Sequence, residues 1–178
     1  MTPLTLPFFS WQHLVIVGVC ALMIIGLVAL QPVFKSTDRY LGFLIVLMVS
    51  LEVFRQIWYI VHQHYDVSFV LPFHLCGLQI FLMPWMYLSK KEGLKSFVYY
   101  AGVIGGVLAI VFNDSPYPLT HVLVFQSYMI HTLILSISLI MVRSRYLKVT
   151  SKGWAQSAVM LLALIPIAGI QHGLDHAI

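Results

Sequence analysis

The sequence predicts an all-α polytopic membrane protein, a bundle of six transmembrane helices. Three observations lead to this fold class: 60% of the 178 residues are hydrophobic, only 9% are charged, and the apolar residues fall into six long segments. A soluble domain carries roughly 25% charged residues, whereas a helix needs about 20 predominantly apolar residues to cross the hydrocarbon core. The whole chain, 1–178, is therefore predicted to form a single integral membrane domain.

The six predicted spans are separated by short polar stretches. They cover approximately residues 13–30, 41–61, 71–88, 97–112, 120–142 and 154–170. Met1–Gln12 lacks the basic n-region of a secretory signal, so the first segment is predicted to be a retained helix. The fourth segment contains Gly102, Gly105 and Gly106, small residues that allow helix backbones to approach each other closely.

Basic residues alternate from loop to loop and predict the topology. Loops one, three and five hold nine of the ten Lys and Arg residues, and loops two and four hold none. By the positive-inside rule the odd loops are cytoplasmic, which predicts a multi-pass protein of the cell membrane with both termini extracytoplasmic. All the histidines then fall on the outer side: His13, His62, His64, His74, His121, His131, His172 and His176. The basic residues form no binding face, so no nucleic-acid partner is predicted.

Cys76 and His131 are the leading candidates for a catalytic pair, because polar side chains are costly inside a bilayer and are usually functional there. At about 1.5 Å per residue, Cys76 lies roughly 6 Å and His131 roughly 15 Å below the outer boundary, and a modest tilt would bring them level. A thiol needs a neighbouring base to become a nucleophilic thiolate, which His131 can supply from a facing helix. His74 is a poorer base, because residues two apart point to opposite sides of a helix.

Each candidate also has a purely structural interpretation. A free cysteine such as Cys76 is most often a small buried hydrophobe, and His131 can instead hydrogen-bond a Ser or Gln across helices. Glu52 and Arg55, three residues apart on one helix, can form an internal ion pair. Alternatively they bind a polar head group, with His74 and Gln126 as further substrate-binding candidates.

The remaining histidines raise the question of a metal site. His172 and His176 are four apart and can share one ion on a helical turn, and His62 and His64 lie close together in a loop. No third ligand stands at a fixed spacing, so the pattern is weak. Cys20 and Cys76 lie in different apolar segments, which gives no support to a disulfide framework. We therefore predict no metal and no cofactor.

Three stretches of the chain resemble one family. Leu71–Leu78, L-P-F-H-L-C-G-L, resembles the L-P-x-H-L-C-x-L signature of the YwaF-like integral membrane proteins. Tyr100–Gly106 is similar to the family's aromatic–Gly…Gly stretch, and Phe125–His131 resembles its F-x-x-F/Y-x-x-H motif. Glu52 stands where members often have a glutamate. The family also includes an animal transmembrane acyltransferase.

The resemblance implies a compact helical bundle related to membrane hydrolases that act on fatty acyl esters, with Cys76 as nucleophile and His131 as its base. The predicted function is thus a membrane-embedded lipid acyltransferase or acyl-ester hydrolase, with membrane lipids as substrates. The alternative is a non-catalytic binder or transporter of a small molecule or metal with a His-rich outer pocket. In a third interpretation the chain is a structural subunit. Hydropathy fixes neither the helix order around the bundle nor the oligomeric state.

Overall fold

The described part of the chain is entirely helical. A computed structural model of the protein describes residues 10–62, 75–112, 117, 118 and 120–175, apart from the side chains of residues 75 and 164–175. These residues form six α-helices: α1 Trp11–Leu30, α2 Thr37–Val61, α3 Leu75–Ser89, α4 Glu92–Val111, α5 Val122–Arg143 and α6 Ser151–Asp175. A 3-10 turn, Gln31–Val33, follows α1 and contains a proline at its second position. The predicted all-α fold class is confirmed.

Polar side chains mark where three of the helices begin. Ser10 accepts a hydrogen bond from the backbone N–H of His13 at 3.3 Å, and Ser36 accepts one from the N–H of Arg39 at 3.3 Å. At the start of α5, Nδ1 of His121 accepts from the N–H of Leu123 at 3.2 Å. Each cap satisfies one of the first backbone N–H groups, which have no partner within their own helix.

Four of the described helices are long and apolar enough to cross a membrane, judged by length and composition. They are Trp11–Val33, which includes the 3-10 turn, Thr37–Val61, Glu92–Val111 and Val122–Arg143. On α1, large apolar side chains such as Leu22 and Ile25 are about two-thirds exposed, at 70% and 63%. Exposed apolar surface of this extent on a regular helix is expected where lipid, rather than water, surrounds it. The protein is therefore a helical membrane protein.

Helix α5 is the centre of the bundle and packs against α1, α2 and α4. Its buried hydroxyls bond to their own helix, Ser136 Oγ donating to the Thr132 carbonyl at 2.7 Å and Ser138 Oγ to the Ile134 carbonyl at 2.9 Å. A serine can donate in this way to the carbonyl four residues earlier. The sequence of α5 therefore places polar side chains inside the bundle without leaving those hydroxyls unpaired.

The glycines of α4 allow it to lie directly against α5, as predicted. A Cβ atom at Gly106 would lie 3.2 Å from Cβ of Leu135 and 3.5 Å from the carbonyl oxygen of His131. A Cβ at Gly102 would overlap Oγ of Ser138. A larger residue at Gly102 must displace the Ser138 hydroxyl or separate the helices, and one at Gly106 requires its neighbours on α5 to shift slightly.

One end of the bundle, here called the lysine end, joins three separate parts of the chain. Lys90 forms an ion pair with Asp38, and its Nζ donates to the hydroxyl of Tyr146 at 2.9 Å. The hydroxyl of Tyr87 donates to Oδ2 of Asp38 at 3.1 Å, and its ring lies 4.0 Å from Nζ of Lys90. Partial burial by itself lowers the pKa of Lys90, but the bonds to Asp38 and Tyr146 outweigh it and raise that pKa above its ordinary value. The start of α2, the end of α3 and the loop after α5 thus meet at the same end.

Candidate functional site

Glu52 and Arg55 form the ion pair that their spacing on α2 predicts. Nε of Arg55 donates to Oε2 of Glu52 at 2.9 Å, and its Nη2 donates to Oε1 at 2.6 Å. Nε2 of Gln56 donates to the same Oε1 at 2.6 Å. Glu52 is 8% exposed, so its charge is compensated by three donors inside the bundle. Such two-point pairing is geometrically specific and explains how a carboxylate can be tolerated at this depth.

Gln126 connects α5 to α2 beside this pair. Its side chain is 3% exposed, and its Nε2 donates to the backbone carbonyl of Leu51 at 3.2 Å. Leu51 directly precedes Glu52 in the chain, so Gln126 and the ion pair lie at the same depth. Part of the hydrogen-bonding capacity of Gln126 is used between the two helices; its predicted role in substrate binding stays a prediction.

His131 lies at the inner surface of α5, half-buried, with one ring nitrogen fixed. Its Nδ1 lies 2.7 Å from the carbonyl oxygen of Ser127 on the same helix. Because a carbonyl oxygen only accepts hydrogen bonds, Nδ1 must carry the proton, which leaves a lone pair on Nε2 of the neutral ring. A neutral ring in this tautomer can accept a proton at Nε2.

Cys76 is a free, half-buried thiol in the first turn of α3. Its depth in the bundle can be counted from Gly102 on α4, which both α3 and α5 approach. A Cβ atom at Gly102 would lie 3.6 Å from Cε of Met83 on α3 and 3.4 Å from Cγ2 of Ile134 on α5. Met83 and Ile134 are therefore at similar depth. Counting about 1.5 Å per residue outward from these two, the backbone of Cys76 lies roughly 6 Å farther from the lysine end than that of His131.

The two predicted catalytic residues are thus on neighbouring levels of the bundle. Between the described side chains of Cys76 and His131 the structure has no hydrogen bond. The hydrogen bond that His131 makes is to its own helix, not to a Ser or Gln side chain across helices. His74, the other candidate of the same motif, lies outside the described residues. Catalytic roles for Cys76 and His131 accordingly stay predictions.

Gln79 is a polar residue of this region that the sequence analysis did not single out. It lies on α3 one turn after Cys76 and is only 1% exposed. Neither its Nε2 nor its Oε1 has a hydrogen-bond partner among the residues that the structure describes. The signal that would have found it is a lone amide in an otherwise apolar segment, three residues after the motif cysteine.

The end of the bundle opposite the lysine end is here called the histidine end. It carries a cluster of four aromatic rings, arranged as two stacked pairs. Trp58 stacks on His62 with ring centroids 4.1 Å apart, and Tyr117 stacks on His121 at 4.2 Å. The two stacks meet edge to face, with Trp58 and His121 centroids 5.2 Å apart. Nδ1 of His62 lies 2.8 Å from the Trp58 carbonyl, which makes that nitrogen the donor. Both histidines are therefore held by aromatic and backbone contacts.

Within the described ranges, no three His, Cys, Asp or Glu side chains are grouped closely enough to hold a metal ion. His64 and His176 are outside the description, and of His172 only the backbone belongs to it. Cys20, the second cysteine, is also a free thiol and lies buried on α1 in an apolar cluster with Val124 and Tyr128. It is separate from the region of Cys76.

Comparison with known proteins gives a family. The model of the TMEM164 family matches residues 8–172, which include Cys76, Gln79 and His131. No curated protein and no solved structure gives a match. The match supports the prediction of a membrane-protein family, and the YwaF-like name of the first subsection stays a resemblance.

Proposed function

The chain belongs to the TMEM164 family of membrane proteins, and from this premise we propose that it is a membrane-embedded lipid acyltransferase or acyl-ester hydrolase. Cys76 is the nucleophile and His131 its general base. The observation that carries the proposal is the state of His131, whose Nδ1 is bound to the Ser127 carbonyl while Nε2 keeps a lone pair. A histidine in this tautomer, half-buried among apolar helices, is prepared to accept a proton.

The reaction follows from these two groups. Nε2 of His131 takes the thiol proton of Cys76, and the thiolate attacks the carbonyl carbon of an acyl ester. The new C–S bond forms while the carbonyl electron pair moves to oxygen. When this intermediate collapses, the C–O bond to the lipid breaks, and the leaving oxygen takes the proton from His131. A second hydroxyl, from a lipid or from water, then attacks the thioester by the reverse sequence, which returns the thiol to Cys76.

The offset between the two residues is compatible with this role. In a helix, side chains tilt toward the N-terminus, and the N-termini of both α3 and α5 point away from the lysine end. The imidazole is longer than the thiol, so this tilt carries the ring toward the level of Cys76. A water molecule or the bound ester group can carry the proton across a remaining gap.

The substrate class follows from the position of the site. Cys76 lies in the first turn of α3, and the neighbouring helix α2 exposes apolar side chains such as Phe43 and Ile60 along its length, so an ester reaching the thiol from the bilayer is a lipid ester. We further propose a multi-pass cell-membrane protein with the lysine end cytoplasmic, since Lys90 and the loop after α5 share that end. Both termini and Cys76 are then extracytoplasmic.

The experiment is the labelling of Cys76 in native membranes with a fluorescent lipid thioester. The variants are Cys76→Ala, Cys20→Ala and His131→Asn, in which the asparagine amide can still donate to Ser127 but the basic nitrogen is gone. We expect labelling that survives in Cys20→Ala, vanishes in Cys76→Ala and slows about 100-fold or more in His131→Asn, the usual contribution of a general base.

Two results would refute the proposal. Labelling that persists in Cys76→Ala would exclude this residue as the nucleophile. Equal, slow labelling of wild type and His131→Asn would make Cys76 an ordinary thiol. Metal analysis of the purified protein then tests the alternative of a metal binder or transporter, because acyl transfer by a Cys–His pair requires no metal.

A further inference from the structure

The side-chain amide of Gln79 is buried and has no hydrogen-bond partner among the described residues, as is expected of a group that binds a ligand. At 1% exposure, both polar atoms of its side-chain amide are out of contact with solvent, and neither has a hydrogen-bond partner within the described part of the chain. A buried amide without partners is unfavourable, and such groups are rare in folded proteins. A structural glutamine at this position would be expected to bond across helices, as Gln126 does with the Leu51 carbonyl.

The position of Gln79 relates it to both candidate catalytic residues. It follows Cys76 by three residues on α3, and side chains with this spacing lie next to each other on one face of a helix. Counted from the level that Met83 and Ile134 share at Gly102, the backbones of Gln79 and His131 lie within about 2 Å of the same depth. An ester carbonyl placed beside Cys76 on the inner face of α3 therefore meets the amide of Gln79.

We propose that Gln79 is the oxyanion-binding residue of the acyl-transfer site. Its N–H₂ group binds the carbonyl oxygen of the lipid ester as Cys76 attacks. This inference rests on the proposed function. When the C–S bond forms, the carbonyl electron pair moves to oxygen, and the amide donates a hydrogen bond to the negative charge. When the C–O bond to the leaving lipid breaks, the pair returns to the carbonyl and the thioester is released from Gln79.

The chemistry of the Gln79 side chain favours this role over that of a general base. A glutamine amide does not ionise, so it can stabilise an oxyanion but cannot replace His131 as base. Its donor needs no rearrangement of other bonds before substrate arrives, because no described group competes for it. A donor held ready in an apolar environment is worth more than the same donor in water.

The test compares two reactions of the same thiol in wild type, Gln79→Met and Gln126→Met. Methionine has nearly the volume of glutamine and lacks polar hydrogens. The first reaction is acylation of Cys76 by a fluorescent lipid thioester, which passes through an oxyanion. The second is alkylation of Cys76 by iodoacetamide, a direct displacement that forms no oxyanion. Thermal stability of each variant is measured in parallel.

We expect acylation in Gln79→Met to fall about 100- to 1,000-fold, the loss typical of one oxyanion donor, with alkylation and thermal stability unchanged. Gln126→Met serves as the reference for a structural loss, and it should be less stable than wild type because it loses the bond to the Leu51 carbonyl. Should Gln79→Met fail to accumulate, Gln79→Asn, which withdraws the donor from the carbonyl but keeps the amide, provides the same comparison.

Acylation of Gln79→Met at the wild-type rate would overturn the inference and leave the proposed function intact. A parallel fall of acylation and alkylation would also overturn it, since it would mean that Gln79 only supports the position of Cys76. Absence of acylation in the wild type would refute the proposed function, and this inference with it.

Discussion

The contact between α4 and α5 at Gly102 gives the sharpest prediction on the fold. In Gly102→Ala the new methyl group would overlap Oγ of Ser138, while its next neighbours, Cγ2 of Ile134 and Cε of Met83, lie at 3.4 Å and 3.6 Å. The hydroxyl is therefore the main obstacle, and it is held by its bond to the Ile134 carbonyl at 2.9 Å. The helices must separate, or the hydroxyl must leave its partner.

The magnitude follows from two opposing effects. Overpacking a well-packed interior by one methyl group costs about 1–3 kcal/mol, and replacing glycine by alanine within a helix returns about 0.5–1 kcal/mol. We therefore expect Gly102→Ala to lower the free energy of unfolding by about 1 kcal/mol, the difference between the two mid-range values, and by at most about 2.5 kcal/mol. Gly26→Ala is the matched control, because a Cβ at Gly26 meets nothing within 4 Å and only the favourable helix effect remains.

The measurement is reversible unfolding in lipid bicelles of wild type, the two single variants and Gly102→Ala/Ser138→Ala. The double variant should recover most of the lost stability, because it removes the atom that the new methyl group would overlap. Equal stability of Gly102→Ala and wild type would refute the packing argument. An equal loss in Gly26→Ala, or no recovery in the double variant, would show that something other than the contact with Ser138 is responsible.

Two further predictions concern stability. Gln126→Met removes a hydrogen bond across helices, and such bonds are typically worth about 0.6 kcal/mol and at most about 1.7 kcal/mol in membrane proteins. Gln79→Met removes no hydrogen bond among the described residues, so only Gln126→Met should unfold more easily in bicelles. Equal losses of stability in the two variants would contradict this. At the lysine end, the folded-state pKa of Lys90 is raised above its ordinary 10.5. The contribution of Lys90 to the free energy of unfolding is therefore complete at a pH below its unfolded-state pKa, and it is lost as the pH rises through its folded-state pKa. In thermal unfolding, wild type should therefore lose more stability than Lys90→Met when the pH is raised from 9 to 12. The difference should be small, because the Lys90 side chain is 44% exposed and solvent screens its charge. Parallel pH profiles of the two would contradict this.

Much of the candidate site was predictable because it is local in the chain. The pairing of Glu52 with Arg55 depends only on a spacing of three residues in a helix, and the structure has it. The close approach of α4 and α5 was likewise indicated by glycines with helical spacing. The catalytic pairing of Cys76 with His131, in contrast, was inferred only by counting from the ends of apolar segments, and it stays a prediction.

Other features depended on which helices are neighbours, and no periodicity fixes that. The bond from Gln126 to the Leu51 carbonyl joins residues 75 positions apart, so it exists only because α2 packs against α5. The absence of a hydrogen bond between Cys76 and His131 is equally a result of packing, since both residues satisfy the sequence criteria for a pair. Gln79 was missed because a single amide in an apolar segment has no characteristic spacing.

The sequence by itself determined that this is a helical membrane protein and which polar residues enter its apolar segments. It could do so because the cost of exposing backbone and charge to lipid acts on each segment separately. The tertiary structure alone decided that Gln126 is bonded across helices and that the amide of Gln79, three residues after Cys76, is buried with no hydrogen-bond partner among the described residues. These relations arise from the rotation and order of the helices in the bundle, which are set by side-chain packing between helices and not by hydropathy.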